Sequence, residues 1–179
     1  MKRDELGVLM VVGASILLTT AGTVGALMVG VWQHPHAVPF LWRIPYTPWE
    51  VGGAGVDPKA LAGMQRIRIQ LKARHHILSG YRSLRHNRSV GGASGSQHTY
   101  GRAFDLRVPM HLRDPFYDEA KWQGFTGFGW GSSTVHIDTG ARRWWTYDNA
   151  GRAMSGEAKH RYLYKAPENF KRDYGLHVP

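Results

Sequence analysis

Residues 6–32 carry no charged side chain. About 20 apolar residues suffice to cross the hydrocarbon core as a helix, so this run predicts an N-terminal transmembrane anchor over residues 1–32. A cleaved signal peptide has a shorter apolar region, about 7–15 residues. The small-residue steps near Ala21 and Ala26 keep cleavage as the alternative. The pattern then breaks. Pro35, Pro39, Pro45 and Pro48 prevent regular helix, and Gly52-Gly53-Ala54-Gly55 follows, so residues 33–56 read as a linker. Its aromatics Phe40, Trp42, Tyr46 and Trp49 suit either a membrane interface or packing onto the domain that follows.

From Asp57 the chain alternates between helical and strand periodicity. Asp57-Pro58 opens a helix, an acidic cap followed by proline in the first turn. Leu61, Met64, Ile67 and Leu71 form its apolar stripe, with Arg66, Arg68, Lys72 and Arg74 outward and an end near Arg74. Residues 77–79 read as a short strand and residues 86–90 as a short helix broken by Gly91-Gly92. Residues 103–108 alternate as a strand, with Ala103, Asp105 and Arg107 on one face. Residues 114–123 suit a helix with Phe116, Ala120 and Trp122 inward. Residues 124–131 alternate glycine with aromatics, as a tight strand pair and turn or as a groove-lining loop. Residues 134–137 form a further strand, and residues 142–147 close the core. After Asp148 the chain turns polar and basic. Residues 148–179 read as a solvated extension or docking segment, with a helix near 154–164.

Length allows one domain, here residues 57–147, beside an anchor and a tail. Cysteine is absent, which excludes disulfide staples and thiolate metal sites. The net charge of +10 attracts anionic surfaces, cell-wall polymers and lipid headgroups among them. Nucleic acid is not an expected partner, because the cations are spread along the chain and no nucleic-acid motif accompanies them. Lys2 and Arg3 place the N-terminus in the cytoplasm by the positive-inside rule and the remainder outside.

The candidate chemistry lies in Ser96-Gln97-His98-Thr99-Tyr100-Gly101-Arg102-Ala103-Phe104-Asp105 and in Val135-His136-Ile137-Asp138. Two imidazoles and a carboxylate from separate segments make a candidate open zinc site, with a fourth position left for water. Upstream stands Ser79-Gly80-Tyr81-Arg82-Ser83. As patterns these read S-G-Y-R-S, S-x-H-x-x-G-x-A-x-D and V-H-x-D. Together they resemble the zinc D,D-carboxypeptidase family, which includes murein endopeptidases and phage L-alanyl-D-glutamate endolysins and shares its fold with the hedgehog signalling domain. The resemblance runs from about Asp57 to Tyr147. Between Ser79 and His98 it is closest to the murein-endopeptidase branch.

The resemblance implies an α+β fold, a small antiparallel sheet with flanking helices. It implies a zinc ion on His98, Asp105 and His136, with peptidoglycan peptides as substrate. Arg82 would contact the substrate near the scissile carbonyl, with Tyr81 and Ser96 beside it. The competing role for Arg82 is structural, pairing with a buried acid. Several members carry a general-base carboxylate three residues before the last histidine, where this chain has Ser133. The nearest acid is Asp138, on the same strand face as His136. It stands as candidate base, as a support for the metal ligands, or as a cap of the Asp-Thr-Gly turn. The setting would be a periplasmic face or a membrane-containing virion. A non-catalytic zinc-containing wall-binding or membrane structural protein is the alternative.

Overall fold

The computed structural model describes residues 43–47 and 49–177. The expected anchor, residues 1–32, lies outside them. No helix among the described residues is long and apolar enough to cross a membrane.

Six strands form one sheet: β1 (His76–Ser79), β2 (Ala103–Arg107), β3 (Gly127–Trp130), β4 (Thr134–Asp138), β5 (Arg143–Tyr147) and β6 (Ala153–Met154). Their order is β1-β2-β4-β3-β5-β6. The sheet is mixed, where an antiparallel one was expected, because β3 and β5 run parallel. The turn after β4 carries the chain across β3 to its far edge.

Alternation gives the sheet two unlike faces. Phe104, Leu106, Phe128, Trp130, Val135 and Ile137 are all buried on one of them. The core side is completed by α1 (Pro58–Gln70), α3 (Arg113–Trp122) and α4 (Glu168–Asp173), and a short α2 (Leu84–Ser89) follows β1. In α1, Asp57 Oδ1 accepts from the N–H groups of Lys59 (2.9 Å) and Ala60 (3.1 Å), the expected cap. The helix ends at Gln70, four residues short of Arg74, because Lys72 takes a positive φ of 48° and turns the chain back. Arg68, expected outward, is buried, with Nε donating to Gln65 Oε1 at 3.0 Å. In α3, Phe116 and Ala120 point inward as expected. Tyr117 takes the third inward place and Trp122 is 83% exposed.

Both flanks of the expected domain join its body. Tyr46 and Val51 are buried, and Tyr46 donates its hydroxyl to His75 O at 3.0 Å. Glu50 forms an ion pair with Arg74. The region after Asp148 is not a solvated extension. A 3-10 segment, Gly156–Lys165, replaces the expected helix, and Leu163, Ala166 and Phe170 are buried. Phe170 stacks on Tyr174 (4.5 Å) and meets Trp130 edge-on at 5.2 Å. Buried cations on both sides of this contact bond to backbone carbonyls, which a hydropathy pattern does not report. Arg113 donates to Val108 O, Ser132 O and Lys165 O, and Lys165 Nζ donates to Tyr147 O at 2.7 Å.

Candidate active site

The second sheet face carries the site. Asp105 on β2 and His136 on β4 are register partners, so strand pairing alone brings these two side chains together. His98 comes from a short 3-10 turn, Gln97–Tyr100, that ends at Gly101 with a φ of 68°. A Cβ at Gly101 would come 2.0 Å from Gly55 O, so only glycine fits the turn that feeds β2. One ligand-type atom from each of His98, Asp105 and His136 lies within 4.8 Å of the others.

Each histidine has its second nitrogen occupied. His98 Nδ1 lies 2.7 Å from Gly80 O, which accepts its proton. That leaves Nε2 facing Asp105 Oδ2 at 3.2 Å. His136 is oriented the other way. Its Nδ1 faces Asp105 Oδ1 at 2.8 Å, and its Nε2 lies 3.0 Å from Asp138 Oδ2. Burial alone would raise the pKa of Asp105. The adjacent imidazoles, His136 foremost and then His98, outweigh it and hold the carboxyl below the usual range. Two imidazole nitrogens and one carboxylate, aimed inward and braced from behind, fit a divalent metal of zinc's preferences.

Asp138 shares the strand face of His136 but lies behind it, away from the cleft. Its carboxylate is fully buried. It accepts from Gly140 N at 2.8 Å and from Arg143 Nη2 at 2.8 Å, besides His136. Burial would raise its pKa, but these partners, His136 foremost, lower it. The supporting and turn-capping roles are therefore both present in one carboxylate. Asp138 is not among the residues that line the cleft. Ser133 is exposed in the β3–β4 turn.

A cleft of about 280 Å³ opens over the cluster. Leu78, Ser79, Arg82, Asp105, Thr134, His136, Tyr147 and Gly151 line it. Arg82 forms an ion pair with Asp105 and donates from Nε to Ser79 Oγ at 2.7 Å. It thus has the expected place on the cleft wall and also pairs with an acid. Tyr81 and Ser96 are not among the lining residues. The Tyr81 ring packs over Gly55, and Ser96 accepts at its carbonyl from Thr99 Oγ1 (2.7 Å) in the turn. A larger surface trough, about 480 Å³ between Tyr164 and His177, holds none of the clustered residues.

The alternation of glycine and aromatics in β3 has a definite purpose. Phe128 and Trp130 are buried in the core, not set along a groove. Gly127, Gly129 and Gly131 leave the site face of β3 bare. Across this gap the side chains of β5 reach those of β4. Arg143 pairs with Asp138 over Gly127, where a Cβ would come 2.3 Å from Asp138 Oδ2. Trp145 lies against His136 (centroids 4.8 Å) over Gly129, where a Cβ would come 2.6 Å from the indole. Tyr147 and Thr134 both lie next to Gly131 and both line the cleft. Arg143, Trp145 and Tyr147, expected in the core, thus belong to the site face. Their spacing of two was the available signal, but the parallel pairing of β3 with β5 was not.

Two histidines and one aspartate converge on a sheet face beneath a cleft, a group that could hold one divalent metal ion. A family model described as Peptidase M15 matches residues 45–139, more than half of the 179 residues. The chain belongs to that family. It is similar to the zinc D-Ala-D-Ala carboxypeptidase of Streptomyces albus G, 34% identical over 80 residues, which cover 42% of this chain and 31% of that one. The chain therefore spans less than a third of that relative's length.

Proposed function

We propose that the protein is a zinc peptidase that hydrolyses amide bonds of peptidoglycan stem peptides or cross-links, held at a membrane by its N-terminal segment with the peptidase outside the cytoplasm. The single observation that carries the reading is the convergence of His98 Nε2, Asp105 and His136 Nδ1, each histidine braced through its other nitrogen. The cofactor is zinc. When bound, it supplies Lewis acidity toward a carbonyl oxygen and lowers the pKa of water.

The chain's own residues supply the rest. Gly80 O and Asp138 fix the tautomers and ring planes of His98 and His136. Trp145 covers the face of His136 and keeps bulk water from that side. Arg82 presents a fixed positive charge on the cleft wall, held in place by Ser79. Such a charge stabilises a carbonyl oxygen as it becomes negative. Hydrolysis adds a hydroxyl to the carbonyl carbon, breaks the C–N bond and leaves a proton on the amine. Apart from Asp105, no carboxylate among the described residues lines the cleft.

His98→Ala and His136→Ala test the assignment. Each is expected to abolish stoichiometric zinc and peptidoglycan hydrolysis together, with circular dichroism separating metal loss from unfolding. Full zinc retention in both variants contradicts it.

A further inference from the structure

The family match ends at residue 139, yet the cleft does not. Tyr147 and Gly151 complete its wall from β5 and the turn beyond. Leu78, Ser79 and Arg82 stand on the β1 side. Since β2 and β4 lie between those edges, Tyr147 faces Arg82 across the metal-ligand cluster. We infer that Tyr147 donates its phenolic hydrogen bond to the scissile carbonyl oxygen, opposite Arg82. The inference rests on the proposed peptidase activity and adds a substrate-contacting residue to it.

Four observations carry the argument. First, Tyr147 reaches the cleft only because β3 is bare on this face. Gly131 sits under the ring, and a Cβ there would come 3.4 Å from Tyr147 Cδ2. Second, the residue is gripped. Its carbonyl accepts from the buried Lys165 ammonium at 2.7 Å, Thr146 Oγ1 donates to Lys159 O at 2.8 Å, and Tyr147 pairs with Ala153 on β6. These bonds fix the backbone that carries the ring, and donors on a fixed backbone are the effective ones where charge develops. Third, the cleft offers few other polar groups for this task. Asp138 is sealed behind His136, Ser133 points to solvent, and Asp105 is a metal ligand by the proposal. Fourth, a phenol ordinarily titrates at about 10, and burial pushes that of Tyr147 up. It keeps its proton at neutral pH and serves as a donor, not as a base.

The C-terminal segment thereby gains a role. It packs into the core through Leu163 and Phe170 and delivers a lysine to hold the strand that carries Tyr147.

The test uses the zinc-loaded full-length chain and Tyr147→Phe, which keeps the ring. Two readouts are compared: the rate of peptidoglycan hydrolysis, and the affinity for a phosphinate analogue of D-alanyl-D-alanine, whose tetrahedral anion mimics the charged oxygen. Turnover is expected to fall about 100-fold, the usual cost of one such donor, with KM within about threefold. Phosphinate binding is expected to weaken at least about tenfold, with zinc content and melting temperature unchanged. Tyr147→His, which keeps a neutral donor, is expected to recover part of the loss, which a purely structural role would not allow. Phe and parent proteins within twofold of each other in both readouts overturn the inference and leave the peptidase reading intact. Loss of zinc in Tyr147→Phe also overturns it, because the residue then serves the metal site. A zinc-loaded parent that neither cleaves peptidoglycan nor binds the phosphinate overturns both.

Discussion

His136 has its two ring nitrogens committed in opposite directions, one into the cluster and one to Asp138. Asp138 is in turn held by Arg143 and the Gly140 N–H. Removing the charge of Asp138 should loosen the ring and leave Arg143 without its partner. Asp138→Asn is expected to weaken zinc binding by about 10- to 100-fold, the range for a residue that orients a ligand. At saturating zinc its turnover should fall far less than affinity does. Chelator competition and rates at saturating zinc separate the two effects. Gly129→Ala tests the same bracing from another side. Its methyl would strike the Trp145 indole at 2.6 Å, and overpacking of this kind costs about 1–3 kcal/mol. Lower zinc affinity and a lower unfolding midpoint are expected together. At this scale the metal ligands were legible, because motif spacing names them directly. The position of Asp138 was only half legible. Alternation assigns a strand face, but whether a side chain points into the cleft or behind its neighbour depends on Gly140 and Arg143.

Two elements lie outside the span that the sequence pattern marked as the domain. In the first, Tyr46 and Val51 are buried and Glu50 pairs with Arg74. Burial would raise the Glu50 pKa, but hydrogen bonds from Thr47 and Arg74 bring it below 4.5. A carboxyl lowered by folding contributes stability that is present above its unfolded pKa and lost as pH falls through the folded value. The stability difference between the parent and Glu50→Gln should therefore shrink as pH drops below about 4.5, read by denaturant unfolding across pH. The second element is α4. Phe170 is fully buried among Trp130, Tyr117 and Tyr174. Phe170→Ala is expected to cost about 3–5 kcal/mol, whereas an unpacked tail would show almost no change. Composition hid both elements. Prolines and glycines masked an anchoring tyrosine, and lysines masked a helix that buries one phenylalanine. The order β4-β3-β5 was equally hidden, because no local pattern reports which distant strand a segment joins.

The whole molecule joins an α+β peptidase-family domain to an uncharged N-terminal run of 27 residues, Leu6 through Trp32, and carries a net charge of +10. We expect the full-length protein to partition with membranes and to keep its N-terminus, read by intact mass. A mature chain starting between about residues 22 and 32 would show a cleaved signal instead. The excess positive charge favours residence on an anionic wall, an attraction that weakens as salt screens it. The central claim, that the braced His98–Asp105–His136 cluster makes this chain a zinc peptidase of the cell wall, is tested most directly by one measurement. Purified peptidoglycan is digested with the full-length protein, with and without stoichiometric zinc, and the released fragments are identified by mass. The account predicts new fragments cut within stem peptides or cross-links in the zinc-loaded reaction and none in the metal-free one. Intact peptidoglycan after prolonged incubation with fully zinc-loaded, folded protein would contradict it.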